Sequence, residues 1–339
     1  MIEYKFPPGT RVLVTGASGF TGSVLVRKLI ALGLDVVAIA RPSSNLEQFR
    51  DLPIKWVIGD VFNDEVVKES VKGVSYVFHM AAAYREAKLS DEGYYRVHVL
   101  GTQLLAKAAL GEESLKRFIH VSTVGVHGHI ENPPADESYP FKPGDTYQKT
   151  KADAELWIRD FSEKHGLPLT VVRPCAIYGP GDKRLLKLFK LVSKGWVPSI
   201  GSGNHLYHLV HVDDLTDFLV LAAMHPKALG EVFICGSKEA ITFRKMVSVI
   251  ADFYNVKVRF VRIPILPLFA AGALCEIICR PLGIDPPIYR RRVAFFTKDR
   301  SFNTEKMRTL LGFTPKYSDE EGLRETARWY LEQGLVTLK

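Results

Sequence analysis

The chain has 339 residues, more than a single core usually serves, so a large domain with an appended lobe, or two domains, is expected. Its composition, 47% apolar and 24% charged, is that of a globular chain and excludes wholesale disorder. The net charge of +8 is scattered: Arg290-Arg291-Arg292 is the densest cluster, and Lys183, Arg184, Lys187, Lys190 and Lys194 have helical spacing without any nucleic-acid motif, which leaves solvated helix faces or a phosphate-bearing ligand.

In chain order, short β-branched runs at 11–15, 35–40, 55–59, 75–79, 117–122 and 169–173 alternate with helical patterns near 21–32, 64–71, 93–110 and 146–165. Strands buried on both faces read as nearly continuous apolar runs, as these do, which predicts an α/β fold with a doubly wound parallel sheet. After Pro174 the rhythm loosens. A loop at Tyr178-Gly179-Pro180-Gly181 leads to the basic helix, and 208–212 with 231–235 read as returns to the sheet. The expected division is a cofactor domain over 1–174 with returns near 208–235, and a smaller C-terminal α/β substrate lobe from 175–207 and 236–339.

Residues 263–282 are apolar but contain Pro264, Pro267, Glu276, Arg280 and Pro281, too interrupted to span a bilayer; a helix over an apolar pocket is expected. Cys175, Cys235, Cys275 and Cys279 show neither CxxC nor metal spacing, so buried free thiols and no metal are expected. Reduced thiols, with no charged-then-apolar leader, point to the cytoplasm.

The first strand breaks into Gly16-Ala17-Ser18-Gly19-Phe20-Thr21-Gly22 and flows into a helix. Gly16 suits a tight strand-to-helix turn, Gly19 lets backbone approach a pyrophosphate, and Gly22 lets helix pack on strand. The helix start then offers N–H groups to phosphates. An acidic residue ending the second strand would favour NAD, but this chain has Ala40-Arg41-Pro42-Ser43-Ser44, so Arg41 with Ser43 and Ser44 favours NADP over NAD. Asp60-Val61 is placed to meet adenine, and Ala81-Ala82-Ala83 supplies small residues where a cofactor passes close to backbone.

Tyr147 and Lys151 lie four residues apart and share a face of one helix. A free phenol near pKa 10 is a poor base at neutral pH, and a neighbouring ammonium lowers it by favouring the phenolate. Such a phenol can pass a proton to or from a secondary alcohol while hydride moves.

Together with Gly59-Asp60, His79-Met80-Ala81-Ala82, His120-Val121-Ser122-Thr123 and Arg173-Pro174-Cys175-Ala176-Ile177-Tyr178-Gly179-Pro180, these motifs resemble the extended branch of the short-chain dehydrogenase/reductase superfamily over nearly the whole chain. Within it the likeness is to the NAD-dependent epimerase/dehydratase family and its 3β-hydroxysteroid dehydrogenase-like members. The resemblance implies a Rossmann domain, Tyr147 as acid/base, Lys151 on the nicotinamide ribose, and Thr123 orienting the substrate oxygen, with Ser122 as the neighbouring alternative. It also implies that the segment after Pro174, with Ile177, cradles the nicotinamide, and that Ser18, Phe20 and Thr21 belong to the cofactor turn. Tyr84, His127, Tyr178 and Arg292 are the residues expected toward the substrate, and pairing through 93–110 and 146–165 would give a homodimer.

Two positions depart from the family pattern. His98 stands where relatives usually have asparagine, as a core histidine, an altered structural hydrogen bond or a proton relay; His127 replaces a tyrosine and either touches substrate or faces solvent. The C-terminal part, with Arg300-Ser301-Phe302-Asn303 and Lys306, looks like the hydroxysteroid and dihydroflavonol relatives, which implies a hydrophobic alcohol or ketone substrate. A nucleotide-sugar epimerase that retains its cofactor is the alternative; a non-catalytic NAD(P)-binding sensor is a third, opposed by the intact tyrosine–lysine pair.

Overall fold

The computed structural model describes residues 6–83, 90–264 and 299–338, with isolated positions between 267 and 279. Six strands carry the first half: β1 (Arg11–Thr15), β2 (Asp35–Ala40), β3 (Ile54–Ile58), β4 (Tyr76–His79), β5 (Arg117–Val121) and β6 (Leu169–Pro174). Beyond them lie β7 (Ala176–Tyr178), β8 (Trp196–Ile200), β9 (Leu206–Tyr207), β10 (Leu209–His211), β11 (Val232–Cys235), β12 (Ile241–Thr242) and β13 (Arg259–Ile263). The central sheet has seven strands in the order β11-β6-β5-β4-β1-β2-β3, and every pairing in it is parallel.

The helices that matter for the site are α1 (Phe20–Ala31), α2 (Asp64–Ser70), α3 (Asp91–Tyr95), α4 (Gly101–Leu110), α5 (Thr146–His165), α6 (Leu186–Ser193), α7 (Val212–Met224) and α8 (Phe243–Tyr254). A π turn at Arg96–Leu100 joins α3 to α4. Successive strand residues face opposite layers: Val12 and Val14 join a core with α1 and α7, whereas Leu13 joins one with α4 and α5. That alternation is why both faces demand apolar residues. A third apolar cluster, with Phe189, Val247, Leu323 and Tyr330, forms the second lobe.

Of the two expected returns to the sheet, only the second occurs. β11 pairs with β6 from Val232↔Val171 to Cys235↔Pro174, which occupies the outer edge of β6. The 208–212 segment therefore pairs with β7 instead, as the two-stranded parallel sheet β10-β7. Cys175 and Cys235 are buried free thiols, whereas Cys275 and Cys279 are only half-buried. No described helix is long and apolar enough to cross a membrane. Tyr84, Arg292 and most of the apolar 263–282 segment lie outside the described residues.

An ion pair with no solvent exposure fastens α5 to β6. Arg173 donates from Nε to both Glu155 oxygens at 3.1 Å and from Nη2 to Oε1 at 2.5 Å, and its Nη1 reaches the Glu137 carbonyl at 2.8 Å. Removing one partner leaves the other as an uncompensated buried charge. Glu155→Gln is therefore expected to cost about 3–5 kcal/mol of stability in urea unfolding. A loss below about 1 kcal/mol, the value of an exposed pair, would show that Arg173 finds another counter-charge.

Candidate active site

The parallel topology brings the sequence-selected residues to the carboxyl ends of the strands, where open α/β sheets bind ligands. Gly16 has φ +73°, and a Cβ there would lie 3.0 Å from the Ala81 nitrogen and the Met80 carbonyl. At Gly22 a Cβ would fall 2.1 Å from the Gly16 carbonyl oxygen, so the helix closes on the turn only with glycine. Gly19 is exposed and ends the turn; as N-cap of α1 it supplies no side-chain cap, and the first turn has no acidic residue. Ser18, Phe20 and Thr21 are half-buried around it.

From β2 the chain turns back toward this site. Arg41 is exposed, the Ser44 N–H donates to its carbonyl at 2.9 Å, and Ser18 Oγ reaches Ser44 Oγ at 3.4 Å. Asp60 is half-buried after β3. The Val61 side chain is buried against Gly101, where a Cβ would come within 2.8 Å of it. Ala81 is half-buried, Ala82 exposed and Ala83 buried. Pro174 is buried at the end of β6, and Ile177 is half-buried beyond it.

Helix α5 starts at Asp145, whose Oδ1 accepts the Gln148 N–H at 2.7 Å, and this cap fixes Tyr147 in the first turn, half-buried. Lys151, one turn on, is 3% exposed and donates to the Val121 carbonyl at 2.7 Å. Burial pushes its pKa down to about 8, opposed by Glu155. Thr123 is half-buried and caps a short 3₁₀ turn, its Oγ1 accepting the Gly125 N–H at 3.0 Å. A Cβ on Gly125 would lie 3.2 Å from Thr123 Oγ1 and 3.5 Å from Gln148 Cγ, so Thr123 and Gln148, the neighbour of Tyr147 in sequence, both pack on Gly125. Ser122 is 4% exposed, and its hydroxyl has no partner among the described residues.

His127 neither touches a groove nor faces solvent. It is fully buried among Tyr139, Phe141 and Phe302, where Nε2 accepts from Arg173 Nη1 at 3.2 Å and Nδ1 faces the Pro140 carbonyl at 3.3 Å. The buried guanidinium needs that acceptor. Tyr178 is also 1% exposed, packed under the helix Asp319–Glu332, where a Cβ on Gly322 would strike its hydroxyl at 2.2 Å. Both leave the substrate set.

A family model described as the NAD dependent epimerase/dehydratase family matches residues 12–236. The chain belongs to that family. It is 29% identical over 321 residues to a 4-hydroxy-2-methyl-3-oxo-4-farnesyl-3,4-dihydroquinoline-1-oxide ketoreductase of Stigmatella aurantiaca, covering 92% of this chain and 94% of that one. Against 3beta-hydroxysteroid-dehydrogenase/decarboxylase isoform 2 of Arabidopsis thaliana it is 28% identical, over 93% of this chain and 61% of the plant protein. Among solved structures, epimerase Mth375 of Methanothermobacter thermautotrophicus shares 26% identity with a TM-score of 0.79, over 96% of this chain and 94% of that one. The chain is thus an extended short-chain dehydrogenase/reductase enzyme of an NAD-binding family.

The turn fits such a dinucleotide: an uncapped helix start, an exposed glycine and no acidic side chain present N–H groups to phosphate. Arg184 went unrecognised in the sequence, read there as part of a basic helix face. Its guanidinium lies 5.8 Å from the Phe20 ring, donates to the Ile177 carbonyl, and is held by Asp182 at 2.8 Å. Gly181 also approaches Phe20, with a Cβ position 3.3 Å from the ring, so the loop after β7 closes onto the glycine turn. No local spacing announces that contact.

Lys151 yields a test with a definite sign. Its pKa lies at about 8, below the ordinary 10.5, so burying the charge costs stability below about 8, a cost relieved as pH rises toward 10.5. Lys151→Met is expected to stabilise the cofactor-free protein at neutral pH by about 3 kcal/mol, with the gain shrinking near pH 10, while turnover falls. Unfolding midpoints at the two pH values check it, and a less stable variant at neutral pH would show that the ammonium is not a burden.

Proposed function

We propose that the protein is an NADP-preferring oxidoreductase that interconverts a hydrophobic secondary alcohol and its ketone. The observation that carries the reading is the junction at Gly125, on which Thr123 and Gln148, next to Tyr147, both pack, with buried Lys151 one turn on from Tyr147. A bound nicotinamide supplies or takes the hydride. Tyr147 Oη gives its proton to the carbonyl oxygen in reduction and takes it back in oxidation. Thr123 Oγ1 already accepts a backbone N–H, so its own proton is the one to offer the substrate oxygen. Ser122, 4% exposed, is the neighbouring alternative for that role. In this reading Lys151, protonated, favours the phenolate and holds the nicotinamide ribose.

An apolar substrate is supported by the farnesyl-bearing ketone named for the Stigmatella relative and the steroid named for the plant one. A nucleotide-sugar epimerase is the second reading. Its support is a cavity of about 440 Å³ in the second lobe, lined by Gly201, Ser202, Asn204, Arg244 and Arg262, whose two guanidinium groups suit a diphosphate. Pairing of two copies through α4 and α5 belongs to the same proposal; on α5, Leu156 is 52% exposed beside half-buried Trp157.

Tyr147→Phe is expected to lower turnover of an apolar cyclic ketone by about 10²–10⁴, followed at the nicotinamide absorbance. Turnover at the parental rate would remove Tyr147 as the acid/base; an epimerase would instead show no net change in absorbance. For cofactor choice, Arg41→Ala is expected to shift the NADP/NAD efficiency ratio toward NAD by about 10–100-fold, the worth of a hydrogen bond to a charged group. An unchanged ratio would assign the preference elsewhere.

A further inference from the structure

Between the glycine turn and the catalytic helix runs a buried chain of threonine and histidine whose donors can be assigned one by one. Thr15 Oγ1 accepts the N–H groups of Met80 at 3.1 Å and Ala81 at 3.0 Å, which fills its lone pairs. Its own proton therefore goes to His79 Nδ1 at 2.8 Å. His79 must then be protonated on Nε2, which donates to Thr102 Oγ1 at 2.9 Å, and Thr102 donates to the His98 carbonyl at 2.5 Å.

His98 is fixed as the opposite tautomer. Its Nε2 accepts the Ala83 N–H at 3.0 Å, so its proton sits on Nδ1 and goes to Thr150 Oγ1 at 2.8 Å. Thr150 returns its hydroxyl proton to the carbonyl of Thr146 at 2.8 Å, with that of Tyr147 at 3.2 Å. The path begins on a backbone N–H and ends on a backbone carbonyl. No proton can travel it, so His98 is not a relay.

Three further facts place His98 at the centre of the site. It is 1% exposed, and its ring meets the Tyr147 ring edge-on at 5.4 Å. It occupies the middle of the π turn Arg96–Leu100, an irregularity frequent at functional sites. The groups around it are Lys151, His79, His120 and Tyr94, and burial together with the Lys151 charge keeps the ring neutral.

We propose that His98, held as the Nδ1–H tautomer, is a positioning residue that spans from the cofactor-side backbone at Ala83 to the first turn of α5 and so sets the place of Tyr147. The positioning role rests on Tyr147 being the acid/base; the tautomer assignment does not. A neutral imidazole is suited to the span because it accepts on one side and donates on the other, which an imidazolium cannot do.

The test has two arms. In the full-length protein labelled with ¹⁵N-histidine, His98 is expected as the Nδ1–H form and His79 as the Nε2–H form, with neither titrating between about pH 5 and 8. The Nε2–H form at His98, or titration in that window, overturns the proposal whatever Tyr147 does. In the second arm, His98→Phe keeps a ring but removes both bonds, and Thr150→Val removes the acceptor alone. Each is expected to lower kcat by about 10²-fold, the effect of a 1 Å misplacement, with KM changed far less. The double variant is expected to be no slower than His98→Phe, because both break one span. Multiplying losses, or His98→Phe turning over at the parental rate, overturn the positioning role. Failure of Tyr147→Phe to lose activity, with the tautomers as assigned, instead removes the catalytic reading.

Discussion

A protonated amine without solvent sets the terms for the catalytic side of this fold. Lys151 Nζ rests on the Val121 carbonyl, its one hydrogen bond among the described residues, and its charge discourages any further positive group nearby. Three histidines face it: His79, His98 and His120 are all held neutral, by burial first and by Lys151 second. Neutrality gives each ring one donor and one acceptor: His79 uses both to join Thr15 and Thr102, and His98 uses both to join the Ala83 N–H and Thr150. The cation thus shapes its surroundings even where it makes no bond.

The cofactor side depends on an absence of atoms. Gly22 packs so closely on the Gly16 carbonyl that helix and strand share one rigid corner. Two other helices of the same domain have their starts satisfied by side chains: Asn63 caps α2 and Asp145 caps α5. Helix α1 has no such cap, so its first N–H groups remain for a ligand. Its orientation comes from steric exclusion and its chemistry from unspent donors, and the same three glycines provide both.

Local features were legible in the sequence, and distant partnerships were not. Strands β1 and β2 fall where their apolar runs place them, because a strand buried on two faces has no polar interior positions. Helix α5 spans 146–165 as expected, since Asp145 starts it and Gly166, at φ +75°, ends it. The helix expected at 93–110 starts earlier because Ser90 caps it. Glu155 went unrecognised although it continues the Tyr147–Lys151 stripe by one more turn; that spacing could have found it. Arg173, its partner, lies on another strand, and periodicity says nothing of such pairs. His127 and Tyr178 were misplaced for the same reason. Their burial follows from Arg173 and Gly322, residues remote in the chain, whereas motif position fixes only where the backbone runs.

The stripe along α5 also distributes charge in depth. Tyr147 is half-buried, Lys151 nearly buried and Glu155 fully so, and Glu155 is gripped by an equally buried Arg173. Lys151, Glu155 and Arg173 together carry one net positive charge. Because the carboxylate is bound bidentately at the deep end, the unbalanced charge lies at the end nearer Tyr147. A lone lysine at that depth would tend to lose its proton; Glu155 opposes that loss without standing between ammonium and phenol. Under the proposed chemistry the deep ion pair is therefore part of how the phenolate is stabilised, although neither of its members reaches the substrate. A neutral pair of the same shape would preserve the packing of α5 on β6 and still weaken the field that Tyr147 requires.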